Sequence, residues 1–470
     1  MRVSVTALVR RSTPGCLNTW VWRRSWVVAL AVLGLALLAC GADPATPTTP
    51  PTVGPTQIIP PSETPSVNVD RISYVSPEGD LFTINSDGSN VQQLTGGSPQ
   101  VQSGPTGGYL TQPLNFDNFY AWPTWSPDGT KLAASLVQLT DNRSTEVSVQ
   151  VLDAVTGRNR TVFENDIGRL IADGTPHYLY WAPDSNTLGI LASTQQGLSL
   201  FAADLESPDS LAVLETGAPL YFNWSGDGNS LLIHVGAEVK LLQKPFDGAK
   251  GQVLASAGGF RVAALSPEGN QLAYPEADPT GGQLMVASVA QPRDPQAALE
   301  IGANSAILWS PQGGDLAVAD QTNPNSLIFE RLRLVSADGS GERTLVEEPL
   351  IAFYWSPDGQ KLAWVALDTS SRVFEWKVIG RDGSGQQDLF RFQPTSEVLT
   401  MLSFFDQYAH SHSPWSPDSS HLVVAGTREP VSERRNGHTP TGAQVFVVDV
   451  TGTQSPREIA SGTLAFWSWN

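Results

Sequence analysis

A chain of 470 residues exceeds a typical single domain of about 100–200 residues unless it is built from repeats. Its 46 acidic residues outnumber 28 basic ones, for a net charge of −18, which repels phosphate backbones and argues against nucleic acid as a partner. Both cysteines, Cys16 and Cys40, lie in the first 40 residues, so a disulfide framework or a Cys-based zinc site in the body is excluded.

The first 40 residues carry Arg2, Arg10, Arg11, Arg23 and Arg24 and no acid, and without them 23 basic residues face 46 acidic ones. Trp26–Ala39 is a run of 14 apolar and small residues. That length suits the apolar region of a signal peptide and falls short of the ~20 residues that span a bilayer. The run ends Leu37-Leu38-Ala39-Cys40, which resembles the lipobox of bacterial lipoproteins. The resemblance implies a signal peptide over residues 1–39, a diacylglycerol on the Cys40 sulfur, and anchoring to the outer side of the cytoplasmic membrane or the periplasmic face of the outer membrane. Several acyl chains would hold the protein stably where one would not. Arg23-Arg24 leaves Sec and twin-arginine export both open, and the long stretch before the apolar run points to a start codon downstream of Met1.

Residues 40–68 comprise this cysteine and a Pro/Thr-rich linker with Pro44, Pro47, Pro50, Pro51, Pro55, Pro60, Pro61 and Pro65. Proline at this density favours polyproline II geometry and builds no core.

From residue 69 to 470 one pattern recurs. It reads Trp125-Ser-Pro-Asp-Gly129, Trp181-Ala-Pro-Asp-Ser185, Trp224-Ser-Gly-Asp-Gly228 and Leu265-Ser-Pro-Glu-Gly269, then Trp309-Ser-Pro-Gln-Gly313, Trp355-Ser-Pro-Asp-Gly359 and Trp415-Ser-Pro-Asp-Ser419, at intervals of 41 to 60 residues. Ser-Pro-Asp-Gly is β-turn chemistry, since Pro presets φ and Gly frees the last position. Short apolar strands such as Lys131–Val137 and Lys361–Ala366 follow each turn, then a third strand such as Glu238–Leu242. Asp-Gly or Thr-Gly pairs open a further hairpin. Four strands at a 40–50-residue period predict an all-β fold: a single β-propeller of four-stranded antiparallel blades. The segments beginning at Arg71, Leu81 and Val91 read as second, third and fourth strands without a first, and Ala465–Asn470 as a first strand alone. The C-terminal strand is therefore expected to close the ring with the N-terminal strands, giving eight blades, with seven as the alternative.

The repeated turn resembles the WD40-like repeats of TolB-type β-propellers, which also accompany the catalytic domain of prolyl oligopeptidase relatives. The resemblance covers about Arg71 to Asn470 and implies fold more than function. A hydrolase would need a nucleophile elbow and a further α/β domain. Asp338-Gly339-Ser340-Gly341 and Asp382-Gly383-Ser384-Gly385 read instead as hairpin turns, so no catalytic residues and no cofactor are assigned.

Two segments in the longest connections match each other: Phe116-Asp117-Asn118-Phe119-Tyr120-Ala121-Trp122 and Phe405-Asp406-Gln407-Tyr408-Ala409-His410. Asp117, Tyr120, Trp122, Asp406, Tyr408, His410 and His412 form the candidate binding face, with plugs that brace the seam as the alternative reading. His410 and His412, two apart on a strand, would share one face and are the weak candidates for a metal. Phe374-Glu375-Trp376 and Arg428, Arg434 and Arg435 are further surface candidates. The function expected is a non-catalytic cell-envelope binding or scaffold protein, monomeric, with a protein or glycan partner. The alternative is a metal-dependent carbohydrate-active propeller enzyme.

Overall fold

The computed structural model describes residues 70–96, 118–140, 143–165, 178–194, 197–207, 211–246, 251–257, 262–276, 282–323, 326, 328–429 and 442–469. The signal peptide, Cys40 and the linker lie outside them. The described chain is a β-propeller: among these residues there are six four-stranded antiparallel sheets and one sheet of seven strands.

Most of the sheets are simple meanders whose first strand ends at the repeated turn, as Asn118–Trp125, Tyr178–Trp181, Leu220–Trp224, Asn304–Trp309 and Leu350–Trp355 do. The turn is built as its residues dictate. The Gly359 N–H donates to the Ser356 carbonyl at 2.8 Å, while the Ser356 hydroxyl donates to Asp358 at 2.6 Å and accepts from the Lys361 N–H at 2.9 Å. The same serine–aspartate bond recurs at Ser126, Ser225 and Ser416. It lowers the Asp227 pKa, chiefly because the Ser225 hydroxyl donates to the carboxylate. Ser185 and Ser419 stand where other repeats have glycine and adopt left-handed φ of 55° and 60°. Each hydroxyl accepts from the N–H of the aspartate in the preceding turn, Asp128 and Asp358, so at these two places one turn bonds to the next.

The tryptophan opening each turn has a second task. Its indole N–H donates to a carbonyl in the first strand of the preceding repeat, at the residue just before that repeat's own turn. Trp125 bonds Phe466, Trp181 bonds Thr124, and Trp224 bonds Tyr180. Trp309 bonds Ala264, Trp355 bonds Leu308, and Trp415 bonds Tyr354. Distances run from 3.1 to 3.3 Å. Leu265, with no indole, omits the bond, and the buried Trp467 N–H has no partner in the structure.

The C-terminal strand Leu464–Trp467 pairs antiparallel with Arg71–Val75, from Ile72 opposite Trp467 to Val75 opposite Leu464. Arg71 and Ser468 exchange two further hydrogen bonds at 2.7 and 3.1 Å. Strands from the two ends of the domain thus share one sheet, and the edge they would otherwise expose is paired.

The seven-stranded sheet arises where the outer strand Gln387–Pro394 pairs with His421–Arg428 of the next repeat. Gly426 permits that approach: a Cβ there would lie 2.5 Å from the Gln393 carbonyl oxygen. The last repeat has no regular first strand, since Trp415 forms only an isolated bridge with Leu422. The residues before it are used elsewhere, as described below. Trp376, expected at the surface, is buried within the sheet, because alternation along Val373–Gly380 turns it toward Tyr354.

Replacing Trp181 or Trp467 by Phe removes the same ring volume, but only Trp181 loses a hydrogen bond. Trp181→Phe should therefore be the more destabilising by about 1 kcal/mol in urea denaturation. Equal costs would deny the indole bonds a role in holding the sheets together.

Candidate functional site

The segment between Pro394 and Trp415 is helical, not extended. Helix α1 (Ser396–Ser403) starts at Thr395, whose hydroxyl oxygen accepts from the Val398 N–H at 3.1 Å and donates to the Thr463 carbonyl at 2.7 Å. Its apolar side, Val398, Met401 and Leu402, is buried. A short helix α2 (Phe405–Tyr408) and a turn through Ser411 follow, leaving Phe404 exposed at the elbow between the helices.

This segment meets the first strands of several different sheets. Phe405 packs on Phe353 at 5.0 Å, and the Gln407 carbonyl accepts from the Tyr178 hydroxyl at 2.9 Å. Tyr408 lies 5.1 Å from both Trp122 and Tyr178, and the Ser411 carbonyl accepts from the Thr124 hydroxyl at 3.0 Å. His410 stacks on Tyr180 at 6.4 Å, and His412 meets Phe466 edge-on at 4.5 Å. A single stretch that touches strands from around the ring occupies the space they enclose. Phe405–His412 is a plug in the central channel.

The expectation that His410 and His412 share one face of a strand is thereby corrected. They sit in a helical turn, and their rings pack on different walls. Among the described residues no group of three His, Cys, Asp or Glu side chains is placed to hold a metal. Burial lowers the His410 pKa to about 4. It lowers that of His412 to about 3, partly opposed by the Trp122 backbone. The His412 ring is further fixed by the Ser411 hydroxyl, 2.6 Å from Nδ1.

The candidate face divides accordingly. Trp122, Tyr408 and His412 come together inside the channel, and Trp122 reaches them through a left-handed φ of 55° at a bulge in its strand. Tyr120 does not join them. It is half-buried, and its N–H donates to the Gly79 carbonyl at 2.7 Å. Asp117 lies outside the described residues, as do Arg434 and Arg435.

Asp406, on α2, lies within electrostatic reach of phenols carried by three first strands. Its charge raises the pKa of Tyr178, Tyr221 and Tyr354, whose burial does so more strongly. Burial raises the Asp406 carboxyl to about 7, against the backbone N–H groups of Asp406 and Gln407. Although walled in by protein, Asp406 keeps part of its surface accessible, as a group lining a lumen does. The wall residues Tyr180, Tyr354 and Phe466 were not singled out from sequence. Their signal was available: each is the aromatic immediately before a turn tryptophan.

No protein-family model matches the chain, and no curated protein matches it. Among solved structures it is similar to the dihydro-heme d1 dehydrogenase NirN in complex with DHE, at 11% identity and a TM-score of 0.52, over 87% of this chain and 78% of that one. A eukaryotic initiation factor gives 14% identity and 0.48, over 85% and 99%. TolB from Acinetobacter baumannii gives 15% and 0.34, over 58% of this chain, which spans 62% of TolB. These likenesses concern fold alone.

A carboxyl raised from 3.8 to about 7 makes the folded state bind a proton that the unfolded state has already lost. Stability from this group is full below pH 4 and falls as pH rises through 7. Asp406→Asn should raise stability at pH 8 by up to about 4 kcal/mol and have little effect near pH 4. Chemical denaturation at both values checks this, and an equal effect at both would refute it.

Proposed function

We propose that this chain is a lipid-anchored cell-envelope protein whose eight-bladed, TolB-type propeller binds a protein or glycan partner and catalyses no reaction. The observation that carries the reading is the fate of the chemistry-bearing residues: Tyr408, His410 and His412 are taken up in packing the channel, while Phe404 stays exposed at the elbow of the plug. Binding surfaces favour such aromatics over charged groups. The Cys40 anchor and the proline-rich linker supply attachment and reach. The acidic surface left after removal of the arginine-rich leader suits envelope proteins or glycans better than anionic polymers.

Cys40→Ser should shift the protein from the membrane fraction to the soluble envelope fraction, and retention in the membrane would contradict the anchor. The partner recovered by cross-linking in membranes should fall several-fold for Phe404→Ala combined with Tyr120→Ala, both on the segments leading into the channel. Undiminished recovery would remove this surface from the proposal. About one metal ion per purified chain, together with turnover of a polysaccharide, would favour the carbohydrate-active alternative.

A further inference from the structure

At the end of the ring that carries the turns, the repeats beginning at Asn304 and Leu350 and the last repeat line a cavity of about 970 Å³. Antiparallel order places the hairpins after Arg331–Ser336, Val373–Gly380 and Gln444–Asp449 at this end and the α1–α2 insertion at the other. A volume of this size accepts a small-molecule ligand.

The carboxylates in its wall are spent on the protein itself. Asp315 accepts from the Ser336 hydroxyl at 3.1 Å and from Arg381 Nε at 2.9 Å. Asp382 accepts from the Ser384 hydroxyl at 2.6 Å and the Ser384 N–H at 2.9 Å, and Glu342 accepts from Arg333 at 2.8 Å. Two cations in the same wall are matched only to backbone. Lys361 Nζ donates to the Ser419 carbonyl at 3.2 Å, while Arg343 donates to the Asp382 carbonyl at 3.0 Å and to the Arg381 carbonyl. Asp358 and Asp382 feel these charges through space, but among the described residues neither cation forms an ion pair. Lys131, at the position matching Lys361 in another repeat, does pair with its aspartate, Asp128, at 3.3 Å.

An ammonium has three N–H donors and a guanidinium five, so both side chains keep donors unspent. Each is anchored on the next repeat, which limits the freedom a ligand would have to remove. The Gln387 amide in the same wall adds a donor and an acceptor suited to hydroxyls. Used acceptors and unused donors call for an acceptor-rich ligand, and cations make an oxyanion the strongest such acceptor. The wall carboxylates Asp315, Glu342 and Asp382 oppose a second negative charge, which favours a singly charged carboxylate over a phosphate dianion.

We propose that this cavity binds a small hydroxylated carboxylate, with Lys361 and Arg343 receiving its anion. The site shares no residue with the partner surface at Phe404, so the two stand or fall separately.

Calorimetric titration of the full-length protein, in maltoside detergent at neutral pH and low salt, tests the site with three probes. They are gluconate, sorbitol, which keeps the hydroxylated chain without the charge, and sorbitol 6-phosphate. Gluconate should bind at least tenfold more tightly than sorbitol, and more tightly than the phosphate. Arg343→Gln and Lys361→Gln should each weaken gluconate at least fivefold. Arg372→Gln, in the hairpin between Lys361–Asp368 and Val373–Gly380 at the other end of the ring, should leave it unchanged. Arg343→Lys, which keeps the charge, should bind gluconate more tightly than Arg343→Gln, a difference that loss of folding would not produce. Equal affinity for gluconate and sorbitol, tighter binding of the phosphate, no gluconate binding at about 50 mM, or binding that survives both glutamine substitutions would each overturn the proposal.

Discussion

A ring of sheets must hold its members together at every joint, because each sheet touches only its two neighbours. In this protein six of the joints carry one recurring bond, from a turn tryptophan to a carbonyl of the repeat before it. The bond places the largest side chain of the repeat in the wedge between sheets, where its area is buried most fully. It also fixes how far one sheet is turned against the next. The serine–aspartate turn sits beside it and keeps the tryptophan's backbone in register, so one short motif sets both local shape and global curvature.

Curvature creates an axial space, and the chain fills it with its own α1–α2 insertion. The last repeat gives up a regular first strand to do so, leaving Trp415 with one bridge. Aromatic rings pack against the insertion, and the Tyr178 and Thr124 hydroxyls satisfy the backbone carbonyls of Gln407 and Ser411. Asp406 is the exception, a carboxyl held where its charge is disfavoured. Residues at odds with their surroundings in this way concentrate at functional sites.

The propeller and its seam were legible in the sequence because the turn motif repeats with its tryptophan and because the terminal fragments complement each other. The second, third and fourth strands near Arg71, Leu81 and Val91 lie where the pattern puts them, apart from a fourth strand shortened to Gln92–Gln93. The plug was legible only as a likeness between two segments. Its second helix was hidden because Phe405–Tyr408 is too short to show a 3.6-residue period, and a strand reading of His410 and His412 was equally compatible with the spacing. What decides between the two is the enclosed channel, a property of the whole ring that no local window contains. Tyr178 escaped notice for the same reason: its hydroxyl meets the Gln407 carbonyl of the plug, 229 residues away in sequence.

The indole bonds are unevenly distributed, and this divides the ring. Three of them link the sheets from Phe466 through Trp224, and three more link those from Ala264 through Trp415. Between these two arcs, at Leu265 and at Trp467, no indole bond crosses. Phe405 grips the second arc through Phe353 and Tyr354, while Tyr408, Ser411 and His412 grip the first through Tyr178, Thr124 and Phe466. The plug is therefore a clasp between two half-rings as well as a filling.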